Sequence, residues 1–149
     1  MENNNKLNII SPEERLPKEI FEKAIICSNE FGWKKLDFIH AVESAREKQM
    51  AIIGGQVQYR FPDATCQLYW LSYDPAKRQL DEDWLTYCNR TTSECIDKFI
   101  ILIESTDIQK EASDNFGYLA KKVEQGVNIA DFQVFILYFD DKETDSFLN

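Results

Sequence analysis

The chain has 149 residues, 44% of them hydrophobic, and its 17 basic and 26 acidic side chains give a formal net charge of −9. This length and composition are typical of one domain with a hydrophobic core, and they exclude disorder through the body of the chain. No apolar run approaches the ~18 residues of a membrane helix, so no membrane-spanning segment is predicted.

The acidic side chains are concentrated after the first third of the chain. Residues 1–50 carry 8 basic and 9 acidic side chains, whereas the remaining 99 residues carry 9 and 17. Such a surface repels nucleic acid and anionic membranes, and it accelerates association with a basic protein. We therefore expect a basic partner and no direct contact with nucleic acid or membrane. The alternative is that the acidity serves solubility alone.

The sequence contains no targeting signal or metal-ligand spacing that we recognise. Residues 1–6 lack the basic-then-apolar pattern of a signal peptide, which predicts a cytoplasmic protein. The single histidine, His40, has no cysteine beside it, and no two cysteines have Cys-x-x-Cys spacing. We expect no metal site, no cofactor and four free thiols, at Cys27, Cys66, Cys88 and Cys95.

The first third of the chain predicts two helices after a short capped turn. Ser11 and Glu14 have the spacing of a capping box, and Pro17 interrupts the turn. A first helix, ended by Gly32, is indicated by four apolar residues at helical spacing, Ile20, Ala24, Cys27 and Phe31. A second helix is expected to face inward with Leu36, Ile39 and Val42.

A change to a period of two predicts a β-hairpin in the middle of the chain. Residues 56–61 alternate polar and apolar side chains, residues 62–65 have turn composition, and residues 66–73 form the returning strand. Gly54-Gly55 indicates a bend or bulge at the strand entry. With Gln56 it matches the tripeptide that hydrolyses peptidyl-tRNA in release factors, but a strand in an acidic chain does not suit an RNA-lined site.

Two more helices and a central strand are expected in the second half. Residues 81–83 open the first helix with carboxylates at its positive dipole end. Its predicted inward stripe is Leu85, Cys88, Thr92, Cys95, Phe99 and Leu102. A second helix is expected over about residues 108–125, ended by Gly126. Residues 132–139 are apolar on both faces, which predicts a central strand.

These elements predict a single α+β domain over residues 1–149, with the order α-α-β-β-α-α-β. The helices are expected to pack on a small, mainly antiparallel sheet. Residues 1–10 and 141–149 are expected to be flexible.

The sequence gives little support for catalysis. His40 has Asp37 and Ser44 at helical spacing, but a helix surface provides no pocket or oxyanion hole for such a trio. The carboxylates of residues 81–83 and 140–141 are explained by helix capping and solubility. We therefore predict a non-enzymatic protein with no catalytic residue. Two alternatives stay open: a small hydrolase using His40 or converging carboxylates, and a regulatory module with a small-molecule pocket.

An interface is predicted where large aromatic rings and carboxylates follow one another. Tyrosine and tryptophan dominate interface energies, and neighbouring acids pair with Lys or Arg of a partner. We expect Trp70 and Trp84 to lie in the core. The residues expected at the surface, and predicted to bind the partner, are Tyr73, Asp74, Asp81, Glu82, Asp83, Asp140 and Asp141.

The hairpin sequence resembles a known family. Residues 54–63 (Gly-Gly-Gln-Val-Gln-Tyr-Arg-Phe-Pro-Asp) and 68–74 (Leu-Tyr-Trp-Leu-Ser-Tyr-Asp) are similar to small bacterial immunity proteins encoded beside polymorphic toxins, including contact-dependent growth inhibition systems. The resemblance implies a cytoplasmic, non-enzymatic protein that binds one cognate toxin domain and neutralises it. We expect a one-to-one complex with the C-terminal domain of that toxin. Many such toxins are basic nucleases, which suits an acid-rich surface. The resemblance transfers no binding residue, because these interfaces vary with their toxins.

Overall fold

The structure of the chain is a computed structural model that describes residues 11–141. Of residues 1–10 and 141–149, for which flexibility is expected, all except Asp141 lie outside the described residues. Within the described range the elements are the 3-10 helix Pro12–Arg15, α1 (Lys18–Phe21), β1 (Ile25–Cys27), β2 (Glu30–Trp33), α2 (Lys35–Glu47), β3 (Met50–Gly54), β4 (Gln56–Phe61), β5 (Ala64–Ser72), α3 (Trp84–Ser105), α4 (Ile108–Asn115), α5 (Gly117–Glu124), the 3-10 helix Ile129–Phe132 and β6 (Gln133–Asp141).

The strands form one antiparallel sheet around β6. Their order is β1-β2-β6-β4-β5, and β3 pairs with the second half of β6 on the side that β4 occupies along its first half. The predicted central strand is therefore confirmed as β6. The chain is a single-domain α+β fold, as the sequence predicts.

A cluster of four buried aromatic rings joins the helices to the sheet. Phe38 of α2 stacks on Phe99 of α3, with the ring centroids 4.1 Å apart. Tyr73 meets Phe38 edge-on at 4.8 Å, and Phe135 of β6 meets Phe99 edge-on at 5.1 Å. Each such pair adds about 0.5–1.5 kcal/mol beyond the burial of its area. The cluster therefore fixes how α2 and α3 lie on the central strand.

β3 and β4 follow one another along β6 and meet at a bend. The pairing register shifts by one residue between Ile52 and Gly54, which leaves Ile53 as the extra residue of a bulge. Gly54 has a φ of 146°, a conformation that residues with a side chain rarely adopt. A Cβ atom on Gly55 would lie 1.8 Å from the Ile136 carbonyl oxygen. The bend predicted at these two glycines is confirmed, and both are buried in the sheet.

The prediction of a helix that ends at Gly32 is wrong. α1 ends at Phe21, and the chain continues as the β1–β2 hairpin. The turn residues Ser28 and Asn29 have φ of 50° and 68°, the left-handed conformation of a two-residue hairpin turn. The β-branched pair Ile25-Ile26 favours a strand, and pairing of β2 with β6 completes the sheet. The observed order, α-β-β-α-β-β-β-α-α-α-β, therefore differs from the predicted one.

Two helices differ in detail from their predictions. The helix expected over about residues 108–125 is divided into α4 and α5, because the backbone of Phe116 between them is extended. Leu36 and Leu85, expected to face inward, are exposed in the first turns of α2 and α3. The five other members of the predicted α3 stripe are buried, as expected.

Gly55→Ala is expected to destabilise the protein, because a Cβ has no space against the Ile136 carbonyl oxygen. Overpacking of this kind typically costs about 1–3 kcal/mol, and here the obstacle is backbone, so we expect a loss of at least about 2 kcal/mol in the free energy of unfolding. Urea denaturation measures it. The matched control is Gly117→Ala, where nothing lies within 4 Å of the added Cβ. It should be neutral or stabilising by up to about 1 kcal/mol. Equal effects of the two substitutions would contradict the close approach at the bend.

Candidate functional site

Two of the predicted interface residues, Tyr73 and Asp74, hold the glycine bend in place. The Tyr73 hydroxyl donates to the Ile136 carbonyl oxygen at 2.6 Å, and burial raises the pKa of this hydroxyl well above its usual value. The Asp74 carboxylate accepts from the backbone N–H of Gly55 at 2.9 Å, and the backbone carbonyl oxygen of Asp74 accepts from Lys98 Nζ at 2.8 Å. Asp74 is exposed, but the expectation that Tyr73 is exposed is wrong, since its side chain is fully buried.

The three successive carboxylates before α3 have different roles. Asp83 caps the helix by accepting from the backbone N–H of Thr86 at 2.8 Å, and this bond lowers the pKa of its carboxyl group. The side chain of Glu82 is only 7% exposed and accepts from Arg90 Nε at 2.6 Å. The hydrogen bond from Arg90 lowers the pKa of Glu82 to about 2. Asp81 is exposed and has no hydrogen bond or ion pair within the described part of the chain.

Asp140 and Asp141 belong to β6. The sequence suggested instead that they lie in a solvated tail. They pair in register with Ala51 and Met50 of β3. Asp141 is buried, and its carboxylate lies 3.3 Å from Arg15 Nη1. Asp140 is half-buried. The expectation that this pair is solvated is therefore wrong, because the last strand extends further than its apolar run.

The residues considered for catalysis do not form a common site. His40 is exposed on α2, whereas Ser44 on the same helix is buried. The Asp37 carboxylate pairs with Lys23 Nζ at 3.5 Å. Among residues 11–141, no group of three His, Cys, Asp or Glu side chains is placed to hold a metal ion.

A shift in strand pairing exposes two adjacent rings, Tyr69 and Trp70, at the edge of the sheet. β5 is the edge strand, and its register with β4 shifts before Ser72, so that residues 69–71 form a bulge. The alternation of buried and exposed side chains is broken there, and the two residues are 69% and 45% exposed. The expectation that Trp70 lies in the core is therefore wrong, whereas Trp84 is buried as expected.

Trp70 is held in one orientation despite its exposure. Its ring stacks on Phe116 with an interplanar angle of 17° and a centroid distance of 6.3 Å. Its indole Nε1 donates to Glu111 Oε1 on α4 at 2.8 Å. A ring fixed in this way loses little conformational entropy when a partner covers it.

A cleft lies beside Trp70, between β5 and the second half of α3. Its volume is about 320 Å³. Ile101, on the α3 side, is 62% exposed. The residues that line the cleft are Trp70, Leu71, Ser72, Lys98, Ile101, Leu102, Ser105 and Thr106. Apolar surface from both walls is therefore open to a partner.

One stripe of α3 connects this cleft with the loop that follows β5. Arg90, Glu94, Lys98, Ile101 and Ser105 recur at intervals of three or four residues, so they share one side of the helix. The first three bind the backbone of the segment between β5 and α3, and the last two line the cleft. We call this region the α3–β5 surface, defined by Tyr69, Trp70, Lys98, Ile101 and the loop of residues 76–82.

The α3–β5 surface lies in an acidic part of the molecule. Residues 96–115, which span the second half of α3 and all of α4, contain five carboxylates and two lysines, a net charge of −3. One of the lysines, Lys110, is paired with Asp114 at 2.7 Å. Residues 96–115 are therefore acidic overall, whereas the 76–82 loop, with Lys77 and Arg78 against Asp81 and Glu82, has no net charge.

The sequence contains a signal for part of this surface. Ile101 lies outside the inward stripe of α3, so helical periodicity alone places it at the surface. Tyr69 belongs to an alternating strand, but the exposure of its neighbour Trp70 depends on the bulge, which the strand's own sequence does not indicate. Leu80 in the 76–82 loop is fully exposed, and no local pattern predicts this.

Comparison of the chain with protein-family models, with curated proteins and with solved structures found no match. Within residues 11–141, no helix combines the length and the apolar character needed to cross a bilayer. The function is therefore inferred from the residues and the geometry of the α3–β5 surface.

Glu82→Gln removes the charge from the Arg90 pair and is expected to change how stability depends on pH. Folding lowers the pKa of Glu82 from an ordinary value of 4.5 to about 2. A group with a lowered folded-state pKa stabilises the protein above its ordinary pKa, and this contribution disappears as the pH falls through the folded value. The advantage of the wild-type protein over Glu82→Gln should therefore shrink between pH 4.5 and about 2.

Thermal unfolding at a series of pH values measures this difference. The control is Asp81→Asn, which removes the neighbouring carboxylate without removing an Arg90 contact and should leave stability at neutral pH near the wild-type value, because Asp81 has no hydrogen bond or ion pair among residues 11–141. If the stability difference between the wild-type protein and Glu82→Gln stays constant across this pH range, the ion pair of Glu82 with Arg90 does not stabilise the fold as proposed.

Proposed function

We propose that the chain is an immunity protein that binds and neutralises the C-terminal domain of one cognate toxin in the cytoplasm. The toxin domain is basic, in keeping with a nuclease, and the complex is one-to-one. The immunity protein is not an enzyme, needs no cofactor, and contacts neither nucleic acid nor membrane directly. The resemblance of residues 54–63 and 68–74 to immunity proteins motivates this proposal, and the α3–β5 surface supports it.

The support from the α3–β5 surface is its combination of apolar anchors with an acidic surround. Trp70 and Ile101 are exposed and line an open cleft, and the exposed Tyr69 ring lies 6.3 Å from the ring of Trp70. Strong interfaces typically have a few large apolar or aromatic anchors surrounded by a polar rim. Residues 96–115 beside these anchors carry a net charge of −3, and this acidity favours a basic partner and speeds its encounter.

Only some of the residues that the sequence analysis predicted to bind the partner keep that role in the proposal. Tyr73, Glu82, Asp83 and Asp141 are engaged inside the fold, so we assign them to the scaffold that positions the surface. Asp81 keeps its proposed role in binding, since it is exposed in the 76–82 loop. Of the remaining two, Asp74 is exposed but ties the bend to α3, and Asp140 is a half-buried member of β6.

The alternative of a small hydrolase or a small-molecule module receives less support. The cleft of the α3–β5 surface is lined by apolar and hydroxyl side chains and by Lys98. His40 lies exposed on α2 outside this cleft. A base and a nucleophile within hydrogen-bond reach of each other are what hydrolysis of this type needs.

The proposal is tested first by the gene upstream of the one that encodes this chain. We expect it to encode a large secreted protein with a variable C-terminal domain. Expression of that domain alone should stop growth, and co-expression with this chain should restore it. The two purified proteins should form a one-to-one complex in size-exclusion chromatography with light scattering. Absence of both rescue and complex formation would reject the immunity function.

Ile101→Ala and Tyr69→Ala are expected to weaken the complex by at least about tenfold each, because central apolar anchors carry much of the binding energy. The matched control is Ile26→Ala, which removes an exposed isoleucine (52% against 62% for Ile101) from β1 at the opposite edge of the sheet. Surface plasmon resonance measures the dissociation rate, where most of the change should occur. Unchanged binding of the Ile101 and Tyr69 variants would place the interface elsewhere on the protein.

A further inference from the structure

The 76–82 loop has a fully exposed leucine at its tip. Leu80 and Asp81 are the central residues of a turn in which the Glu82 backbone N–H donates to the Gln79 carbonyl oxygen at 3.2 Å. Single exposed apolar residues are common on protein surfaces. The exposure of Leu80 therefore does not by itself indicate a binding site. What distinguishes Leu80 is the set of hydrogen bonds that holds its loop.

One guanidinium group holds both sides of the loop. Arg90 donates to both carboxylate oxygens of Glu82, at 2.6 and 2.9 Å. It also donates to the carbonyl oxygens of Ala76 and Lys77, at 3.1 and 3.2 Å. Glu94 accepts from Arg90 at 3.0 Å and from the backbone N–H of Ala76 at 2.9 Å. Charge-assisted, bidentate bonds of this type are stronger and more directional than neutral ones.

The turn itself is fixed from a second direction. The Gln79 backbone N–H donates to Glu82 Oε1 at 3.1 Å. Arg78 Nε donates to the Glu82 carbonyl oxygen at 3.2 Å, and the Arg78 guanidinium lies 5.3 Å from the centroid of the Trp84 ring. The side chains left at the tip are Leu80, fully exposed, and Asp81, whose carboxylate has no partner among residues 11–141.

We propose that the 76–82 loop is a preformed plug whose tip, Leu80 with Asp81, enters an apolar pocket with a basic rim on the toxin domain. This proposal rests on the proposed immunity function and names the element that occupies the toxin. A fixed loop loses little conformational entropy on binding, so one leucine in a pocket contributes more than it would from a flexible loop. The free carboxylate beside the leucine selects Lys or Arg at the rim of the pocket.

The plug and the cleft form one binding face along α3. Arg90, which holds the plug, and Ile101, which lines the cleft, lie on the same helical stripe. They are eleven residues apart, which corresponds to about 16 Å along a helix. A single domain of the partner therefore spans both, with the plug as the inserted element and the cleft as the flanking contact.

The first test measures whether the loop is fixed before binding. Backbone ¹⁵N relaxation of the free protein should give order parameters of about 0.8 for residues 77–81, the value of rigid backbone. In Arg90→Met, which keeps Leu80 and Asp81, these values should fall below about 0.6 while the rest of the chain keeps its wild-type spectrum. Values below about 0.6 in the wild-type protein would overturn the proposal without any partner.

The second test uses the purified toxin C-terminal domain from the co-expression experiment. Leu80→Ala should weaken its binding by at least about tenfold, as truncation of an anchor in a pocket does. The matched control is Leu36→Ala, a fully exposed leucine on α2, which should bind as the wild-type protein does. Asp81→Asn should slow association at low salt, and its association rate should depend less on salt.

The outcomes separate this proposal from the proposed function. If Leu80→Ala binds like the wild-type protein while Ile101→Ala binds weakly, the plug is wrong and the immunity function stands. If Leu80→Ala and Leu36→Ala weaken binding equally, the effect is not specific to the loop, and the plug is also wrong. If the wild-type chain binds no toxin domain, both proposals fall.

Discussion

The arrangement of the sheet and of the binding face depends on the missing side chain at Gly55. Its backbone lies so close to the Ile136 carbonyl oxygen that a Cβ atom would be 1.8 Å away. This approach allows β3 and β4 to bend around β6, and it brings the Gly55 N–H to the carboxylate of Asp74. Because Tyr73 donates to the same Ile136 carbonyl, the segment that leaves β5 is fixed to the central strand before it enters the 76–82 loop.

The acidic residues of the chain divide into two groups that net charge alone cannot distinguish. Glu82, Asp83 and Asp141 have partners inside the fold, where a carboxylate caps a helix or balances a guanidinium. Asp81 projects into solvent from a loop that Glu82 helps to hold. The run of residues 81–83 therefore serves both structure and surface, because the residues that fix the turn also determine where the free carboxylate points.

Elements with a local pattern were predictable from the sequence. α2, α3, the β4–β5 hairpin and the central strand follow from periodicity, and the glycine bend follows from two adjacent glycines. The β1–β2 hairpin was not predictable in this way. Its turn requires left-handed backbone at both Ser28 and Asn29, a conformation that asparagine favours but serine does not. The exposure of Trp70 was not predictable either, because a register shift between two strands determines which way the ring points. The exposed position of Leu80 was not predictable from a local sequence pattern, since it depends on contacts that Arg90 makes from the next helix.

The proposed complex separates the forces that guide the partner from those that retain it. The net charge of −9 acts over a Debye length of about 8 Å at physiological salt and so accelerates encounter. The exposed side chains of Tyr69, Ile101 and Leu80 act only in contact, and they set how slowly the partner leaves. Internal hydrogen bonds fix the loop that carries Leu80, and regular helical backbone fixes Ile101. Tyr69 lies in the strand bulge, with its ring against that of Trp70. A rigid face of this kind gains specificity from its shape, so a basic protein that lacks the matching pocket would meet the surface often and leave it quickly.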